Sequence, residues 1–223
     1  MTSLTDSLSP LALATRMTSV VAGGAAHSVV SEQAETASRL LMKTLGAHMT
    51  SVAEYRAAPP TRLRLASDSD RIEIQRQATL VRLLSIAESF SAQLLGSVVG
   101  EEFAMAQSRA VESIWDDAID RATDSWTAQK GAYQSWLGVS NNSNWKTVEN
   151  LAHARNAVAH GLGRLTRRQL RKRQTVEQAL RVVGVPLRDD QIVLDELVLA
   201  AIALRCRQFV EQLDRDVRQK LPA

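Results

Sequence analysis

Four polar side chains lie close together in residues 153–161, whose sequence is HARNAVAHG. Two of them, Arg155 and His160, could act on a phosphodiester. An imidazole titrates near neutral pH, so that of His160 could take a proton from a ribose 2′-hydroxyl or give one to a departing 5′-oxygen. A guanidinium can hold two phosphate oxygens at once, and the amide of Asn156 could orient the substrate. These groups are sufficient for metal-free RNA cleavage that leaves a 2′,3′-cyclic phosphate.

The geometry of an α-helix places the guanidinium of Arg155 and the imidazole of His160 on different faces. His153, Asn156 and His160 fall on one face of an ideal helix, whereas Arg155 lies about 140° from His160. We therefore expect the long side chain of Arg155, or unwinding at Gly161, to bring guanidinium and imidazole together. His153 shares the face but lies outside the arginine–histidine pair, so we predict a structural role for it, with support of catalysis as the alternative.

A cationic segment follows this pair. The chain carries 27 basic and 24 acidic residues, but six of the basic ones lie in residues 164–173 (RLTRRQLRKR), which contain no acid. The rest of the chain therefore holds 21 basic against 24 acidic residues. Such a segment usually contacts phosphates or another anionic surface. Because it begins just after His160, we predict that it binds the RNA backbone, through Arg164, Arg167, Arg168, Arg171, Lys172 and Arg173. The alternatives are a solvated helix face and an acidic protein partner.

Helices must position these groups. Apolar residues make up 45% of the chain and aromatic residues only 4%, with 10 glycines and 5 prolines, which favours helices over a β-sandwich. Apolar residues recur at three- and four-residue steps, which predicts helices over residues 27–56, 67–103, 107–137, 145–159 and 195–218. The sequence thus predicts an all-α, up-and-down helical bundle, with the arginine–histidine pair near the end of the fourth helix.

Two features interrupt the helical pattern. Pro59 and Pro60 stop the first long helix, so we place a boundary there, between an N-terminal helical extension (residues 1–66) and a helical domain (residues 67–223). Short apolar, β-branched runs surround Pro186, and they predict a small β-hairpin insertion near residues 180–194.

The string RNAVAHG (155–161) resembles the R-x(4–6)-H signature of the HEPN superfamily, in which a polar residue often follows the arginine directly. Arg155, Asn156 and His160 match that signature position by position. The stretch LLSIAESFSAQLL (83–95) is similar to the family's earlier helix, whose acidic residue corresponds to Glu88. The likeness covers residues 67–223.

This resemblance implies a four- or five-helix bundle, commonly a dimer in which two motifs face one cleft and cut RNA without a metal, often in toxins or antiviral defence. We therefore expect a metal-independent, homodimeric endoribonuclease that uses no cofactor. Its catalytic residues would be Arg155, Asn156 and His160, with Glu88 and His153 as supporting candidates. A neutralising or activating protein partner is a further expectation.

Other functions fit the residues less closely. The main alternative is a catalytically inactive HEPN-like module that binds RNA, a nucleotide or a protein as a regulator or scaffold. Arg155 would then form a salt bridge, with Glu149 or Asp116, and His160 would interact with the helix dipole. A helix-turn-helix DNA binder is disfavoured because no short helix–turn–helix unit is present. A metal hydrolase is disfavoured because no acid accompanies the histidines at helical spacing.

The four tryptophans divide into two pairs. Trp115 and Trp126 follow an apolar helical pattern, which predicts core packing. Trp136 and Trp145 flank the polar run NNSN (141–144), so they are candidates for stacking on bases at the surface.

Redox and membrane chemistry receive little support from the sequence. Cys206 is the single cysteine and lies in an apolar helical pattern, which predicts a buried, inert thiol. The longest uninterrupted apolar run, Leu197 to Leu204, is far shorter than a membrane span. We therefore expect a cytoplasmic protein with no membrane partner.

Overall fold

A computed structural model describes residues 30–57, 64–103, 109–139 and 143–220 of the protein. Within these ranges the chain forms an all-α bundle with one two-stranded hairpin, as predicted. The elements are α1 (Glu32–Ala57), α2 (Arg64–Phe103), α3 (Arg109–Thr123), α4 (Trp126–Leu137), α5 (Ser143–Gly161), α6 (Arg167–Leu170), α7 (Arg173–Val182), β1 (Leu187–Arg188), β2 (Gln191–Ile192) and α8 (Glu196–Arg218).

One hydrophobic core joins the long helices. The apolar stripes of α1, α2, α5 and α8 face each other, because leucines, valines and alanines recur every three or four residues on each helix. Helix α1 comes from the predicted N-terminal extension. It packs against both α2 and α8, and its residues Leu41 and Leu45 are buried in the shared core.

One predicted helix start is confirmed, and one predicted helix is divided in two. Asp195 caps α8 as its sequence position indicates, since its carboxylate accepts a hydrogen bond from the backbone N–H of Val198 at 2.8 Å. The single helix predicted over residues 107–137 is instead two helices, α3 and α4. Ser125 breaks it, because its hydroxyl accepts a hydrogen bond from the N–H of Ala128 and caps the start of α4.

The start of α1 is capped from the far end of the chain. Asp214 on α8 is fully buried, and its carboxylate accepts hydrogen bonds from both the backbone N–H of Ser31, at 2.9 Å, and the hydroxyl of Ser31. The same hydroxyl accepts a hydrogen bond from the N–H of Ala34. Helix α1 is therefore attached at its first turn to the last helix.

The hairpin lies in the predicted region, but it is shorter than the two apolar runs that predicted it. Strands β1 and β2 are antiparallel, with Leu187 opposite Ile192. Residues 180–182 belong to helix α7, because Val176 and Leu180 on that helix are buried and lie on one helical face. Their β-branched neighbours therefore extend a helix end and do not form a strand.

One long apolar stretch lies in helix α2. Its segment Arg71–Gly100 has the length and composition of a membrane span, and half of its most apolar window is buried inside the bundle. Core helices of globular proteins share both properties, so this stretch alone is weak support for a membrane location.

Candidate functional site

Arg155 points from α5 toward α2, where it pairs with Glu88. The Nη2 of Arg155 lies 3.6 Å from a carboxylate oxygen of Glu88, and the two side chains are 37% and 22% exposed. The Nε of Arg155 is buried without a hydrogen-bond partner. The pair therefore fixes one side of the guanidinium and leaves more than a third of the side chain open to solvent. The alternative partner Glu149 instead lies 3.6 Å from Lys130.

His160 lies exposed in the last turn of α5. The helix continues through Gly161, so the unwinding at Gly161 that was one of the two expectations does not occur. The two side chains keep the wide angular separation of a regular helix. Within one chain, the structure thus brings Arg155 to Glu88 and leaves the imidazole of His160 free at the helix end.

A strained turn ends α5. The N–H of Gly163 donates to the carbonyl of Ala157, six residues earlier, at 3.0 Å, and so closes the end of the helix. This cap places Leu162 in the left-handed region, at φ 51°, where a residue with a Cβ is strained. Gly163 follows at φ 88°, and a Cβ there would lie 2.8 Å from Nε2 of Gln77 on α2. The turn is therefore held closely against α2.

The segment after this turn docks back on α5. Gln169 is buried and donates its side-chain N–H to the backbone carbonyl of His153 at 2.8 Å. Thr166 and Gln169 also form a capping box that starts the short helix α6. The T-x-x-Q spacing could have predicted this helix start from the sequence. Its consequence is that the cationic segment lies directly beside the arginine–histidine helix.

The six cations of this segment differ in their surroundings. All are exposed, but Arg173 forms an ion pair with Asp190 and donates to the carbonyl of Asp189 at 2.9 Å. Within the described ranges, no acidic group lies within salt-bridge distance of the other five, which are Arg164, Arg167, Arg168, Arg171 and Lys172. These five, hereafter the free cations, leave an anionic ligand uncontested access.

The two remaining motif-helix candidates, His153 and Asn156, are partly buried. Burial lowers the pKa of His153, and the positive charge of Lys146 lowers it further. The imidazole of His153 therefore favours its neutral form, and its backbone carbonyl holds Gln169. Both features fit the predicted structural role for His153 better than proton transfer.

The tryptophan prediction is right for Trp126 and wrong for Trp145. Trp145 is 1% exposed, and its ring lies 5.5 Å from that of Tyr133 and 4.9 Å from that of Phe209. It packs inward because α5 already begins at Ser143, so Trp145 lies on the core face of its first turn. Trp136 is 39% exposed. The surroundings of the Trp115 side chain lie outside the described residues.

A surface groove lies away from α5. An open groove of about 580 Å³ runs between α1 and α2, with Arg82, Ile86 and Ser89 in its lining. These side chains project roughly 100–160° around α2 from Glu88, away from α5. Among the described residues, no three histidine, cysteine or carboxylate side chains meet in a way that could hold a metal ion. Cys206 is buried as predicted, and burial raises its pKa to about 12.

Comparison of the chain with protein-family models, with curated proteins and with solved structures finds no match in any of the three. The likeness to the HEPN superfamily therefore rests on the motif residues and stays a prediction.

Proposed function

We propose that the protein is a metal-independent endoribonuclease of HEPN type that acts as a homodimer. The single observation that carries this proposal is the exposed His160, placed between the Arg155–Glu88 pair and the five free cations. Phosphate-clamping, acid–base and backbone-recruiting groups thus follow each other along the chain, from Arg155 through His160 to the free cations. Following the resemblance, we place its role in toxin or antiviral-defence systems, with a neutralising or activating protein partner.

The proposed reaction needs one proton acceptor and one donor. His160 accepts the proton of a ribose 2′-hydroxyl as the 2′-oxygen attacks phosphorus. The bond from phosphorus to the 5′-oxygen breaks, and that oxygen takes up a proton from a second imidazole. The products are a 2′,3′-cyclic phosphate and a 5′-hydroxyl. Arg155 stabilises the negative charge on the non-bridging oxygens, and Asn156 orients the substrate.

Glu88 acts in this scheme as a positioning residue. Its carboxylate lies 3.6 Å from Nη2 of Arg155, so the ion pair restrains the guanidinium. A long arginine side chain otherwise loses rotamer freedom when it binds phosphate. The pair therefore reduces the entropy that binding must remove.

The geometry of one chain supports the proposal of a homodimer. Arg155 and His160 lie on different faces of an unbroken helix, so one motif alone does not surround a phosphate. Two motifs facing one cleft supply two imidazoles and two guanidinium groups. Such an arrangement provides the second imidazole that the leaving oxygen requires.

The experiment that tests the proposal is cleavage of RNA in the presence of EDTA. The purified chain should produce fragments that end in 2′,3′-cyclic phosphate. His160→Ala should lower the rate by about 10²-fold or more while RNA binding persists, because it removes proton transfer only. His153→Ala is the matched control, since it removes an imidazole from the same helix but outside the motif. No cleavage by the wild-type chain, or equal cleavage by His160→Ala, would contradict the proposal.

A second candidate function is a catalytically inactive module that binds RNA through the same surface. The engagement of Arg155 by Glu88 favours it, because an ion-paired guanidinium needs no catalytic explanation. Binding of RNA without cleavage, together with normal growth of cells that express the chain, would decide for this function.

A further inference from the structure

Leu162 combines two unfavourable features. Its backbone is in the left-handed region at φ 51°, and its side chain is 85% exposed. Glycine and asparagine are the usual residues at this position of a helix cap, since a Cβ there strains the backbone. Neither backbone strain nor exposure of a leucine side chain to water stabilises the fold. The fold of the described residues therefore gives no reason for a leucine at this position.

The surrounding structure holds this turn in place. The N–H of Gly163 donates to the carbonyl of Ala157, the N–H of Arg164 donates to that of Gly161 at 2.9 Å, and the N–H of Ile192 donates to that of Gly163 at 2.9 Å. These bonds involve only backbone atoms, so they do not depend on a leucine at position 162. The side chain of Leu162 is thus presented on a rigid frame without contributing to it.

The neighbours of Leu162 identify the chemistry of its partner. His160 precedes it by two residues and Arg164 follows it by two, and both are exposed, with Arg167 and Arg168 on the next helix. A single apolar side chain between cationic and imidazole groups matches a nucleotide, in which an apolar base face lies beside an anionic phosphate.

A second copy of the chain is a poor occupant for Leu162 itself, although the proposed dimer brings two motifs to one cleft. A two-fold axis at Leu162 would place this side chain against its own copy and bring the flanking arginines together, which like charges oppose. One leucine also buries far less area than the roughly 1,200 Å² that a stable protein interface requires. The same leucine is large enough to cover the face of one base.

We propose that Leu162 contacts an unstacked nucleobase adjacent to the phosphate that the motif holds. The identity of the ligand rests on the proposed function, since that function supplies RNA as the substrate. The side chain packs on the base face, and the strained turn keeps it projecting from the helix end. A base within a duplex is stacked on both sides, so this contact selects single-stranded RNA and loops.

The test measures binding in the His160→Ala background, where RNA is not turned over. The probes are a single-stranded oligouridine of twelve nucleotides and an abasic ribose-phosphate strand of the same length. Leu162→Asn should weaken binding to oligouridine by about fivefold to tenfold, because it removes one apolar contact. It should leave binding to the abasic strand unchanged. The salt dependence of binding should stay the same, since every phosphate contact remains.

Leu162→Asn and Leu162→Gly should both fold, because each residue adopts the left-handed conformation readily. The midpoint of thermal unfolding should rise by roughly 2 °C for Leu162→Gly. Ile114→Asn is the matched control, since Ile114 is also an exposed apolar residue, on α3. This control should bind both probes like its parent.

Three results would overturn the inference: equal binding of oligouridine by Leu162→Asn and its parent, an equal loss on the abasic strand, or a change in oligomeric state by light scattering. The last would assign Leu162 to contact with a second copy. Failure of the ribonuclease proposal is distinguishable, because it appears as absence of cleavage by the wild-type chain while the base-dependent loss persists. Conversely, Leu162→Asn could cleave RNA like its parent and show no base-dependent loss of binding. That result overturns this inference and leaves the ribonuclease proposal standing.

Discussion

The two ends of helix α5 differ in burial. At its start, Trp145 is buried among the rings of Trp126, Tyr133 and Phe209, with ring centroids 4.9 to 6.3 Å apart. At its other end, about 22 Å along the helix axis, His160 is exposed and the chain turns through a strained residue. We refer to these regions as the aromatic end and the motif end.

The contrast shows which residues the fold requires. Side chains at the aromatic end are closely packed in the core, so packing restricts which residues can occupy these positions. At the motif end, His160 and the five free cations contribute little to the core, because they face solvent. Residues that stability does not require are the ones best explained by binding or catalysis.

The largest expected effect belongs to the aromatic end. Trp145→Ala should lower the free energy of unfolding by about 3–5 kcal/mol, because it leaves a cavity next to Tyr133 and Phe209. Denaturant titration followed by circular dichroism measures the loss. Trp136→Ala is the matched control, since that tryptophan is 39% exposed, and its loss should be much smaller. Equal losses for the two variants would remove the distinction between buried and exposed aromatic residues.

At the motif end, the largest effect is expected on RNA affinity. Replacing Arg167, Arg168, Arg171 and Lys172 with glutamine should weaken binding of single-stranded RNA at least tenfold at 0.1 M salt. The slope of log affinity against log salt should flatten by about two to three, since each lost phosphate contact contributes about 0.7. Fluorescence anisotropy at several salt concentrations gives the slope.

The same segment provides the control for this experiment. Arg173 is already neutralised by Asp190, so Arg173→Gln should change the slope much less than Arg168→Gln does. If the variant with all four substitutions shows the same salt dependence of binding as the wild type, these cations do not contact phosphate.

The turn at the motif end predicts an intermediate effect on stability. Gly163→Ala should lower the free energy of unfolding by about 1–2 kcal/mol, because the residue has φ 88° and a Cβ would crowd Gln77. Gly131→Ala, on α4, is the opposite case. No atom lies within 4 Å of its added Cβ, so this helical position should gain about 0.5–1 kcal/mol. Thermal melts of both variants test whether the two glycines differ in sign.

The smallest expected effect concerns pH. His48 on α1 is buried and contacts Thr79 on α2. Thr79 lies two residues from Gln77, which contacts the turn at the motif end. Burial lowers its pKa, with Arg76 and Arg56 acting in the same direction against Glu196. The neutral form is therefore favoured in the folded state, and the unfolded state binds the proton more readily.

His48 therefore contributes to the free energy of unfolding above pH 6.5, which is its ordinary pKa. This contribution is lost as the pH falls below that value. The free energy of unfolding should fall by up to about 1 kcal/mol between pH 6.5 and 5.5. His48→Asn should flatten this part of the profile, because asparagine can keep the hydrogen bond to Thr79 without titrating. If His48→Asn shows the same dependence of unfolding free energy on pH as the wild type, the assignment to His48 is contradicted.

Much of the fold could be predicted because the long helices carry broad apolar stripes and clear boundaries. Helix α2 begins at Arg64, three residues before its predicted start, and α8 begins after Asp195 as expected. The break at Ser125 was missed because apolar residues continue in helical phase on both sides of it. A serine within a helical pattern gives no signal of its own until its hydroxyl is seen to cap the next helix.

The site was less predictable than the fold for a geometric reason. The contact between Arg155 and Glu88 depends on the register of two antiparallel helices, and this register follows from packing across the whole core. Local spacing could place His160 at a helix end, but it could not identify the partner of Arg155. The strain at Leu162 was also unpredictable, since leucine disfavours the left-handed conformation that it adopts.

The capping of α1 by Asp214 has a consequence for how the chain folds during synthesis. Ser31 and Asp214 are separated by 183 positions, so the carboxylate that holds the first turn of α1 leaves the ribosome long after that turn does. Until α8 emerges, the opening turn of α1 lacks its partner and its apolar stripe lacks one of its two neighbours. Completion of the bundle is therefore coupled to the last helix, and a nascent chain halted before α8 should remain open to proteases along α1.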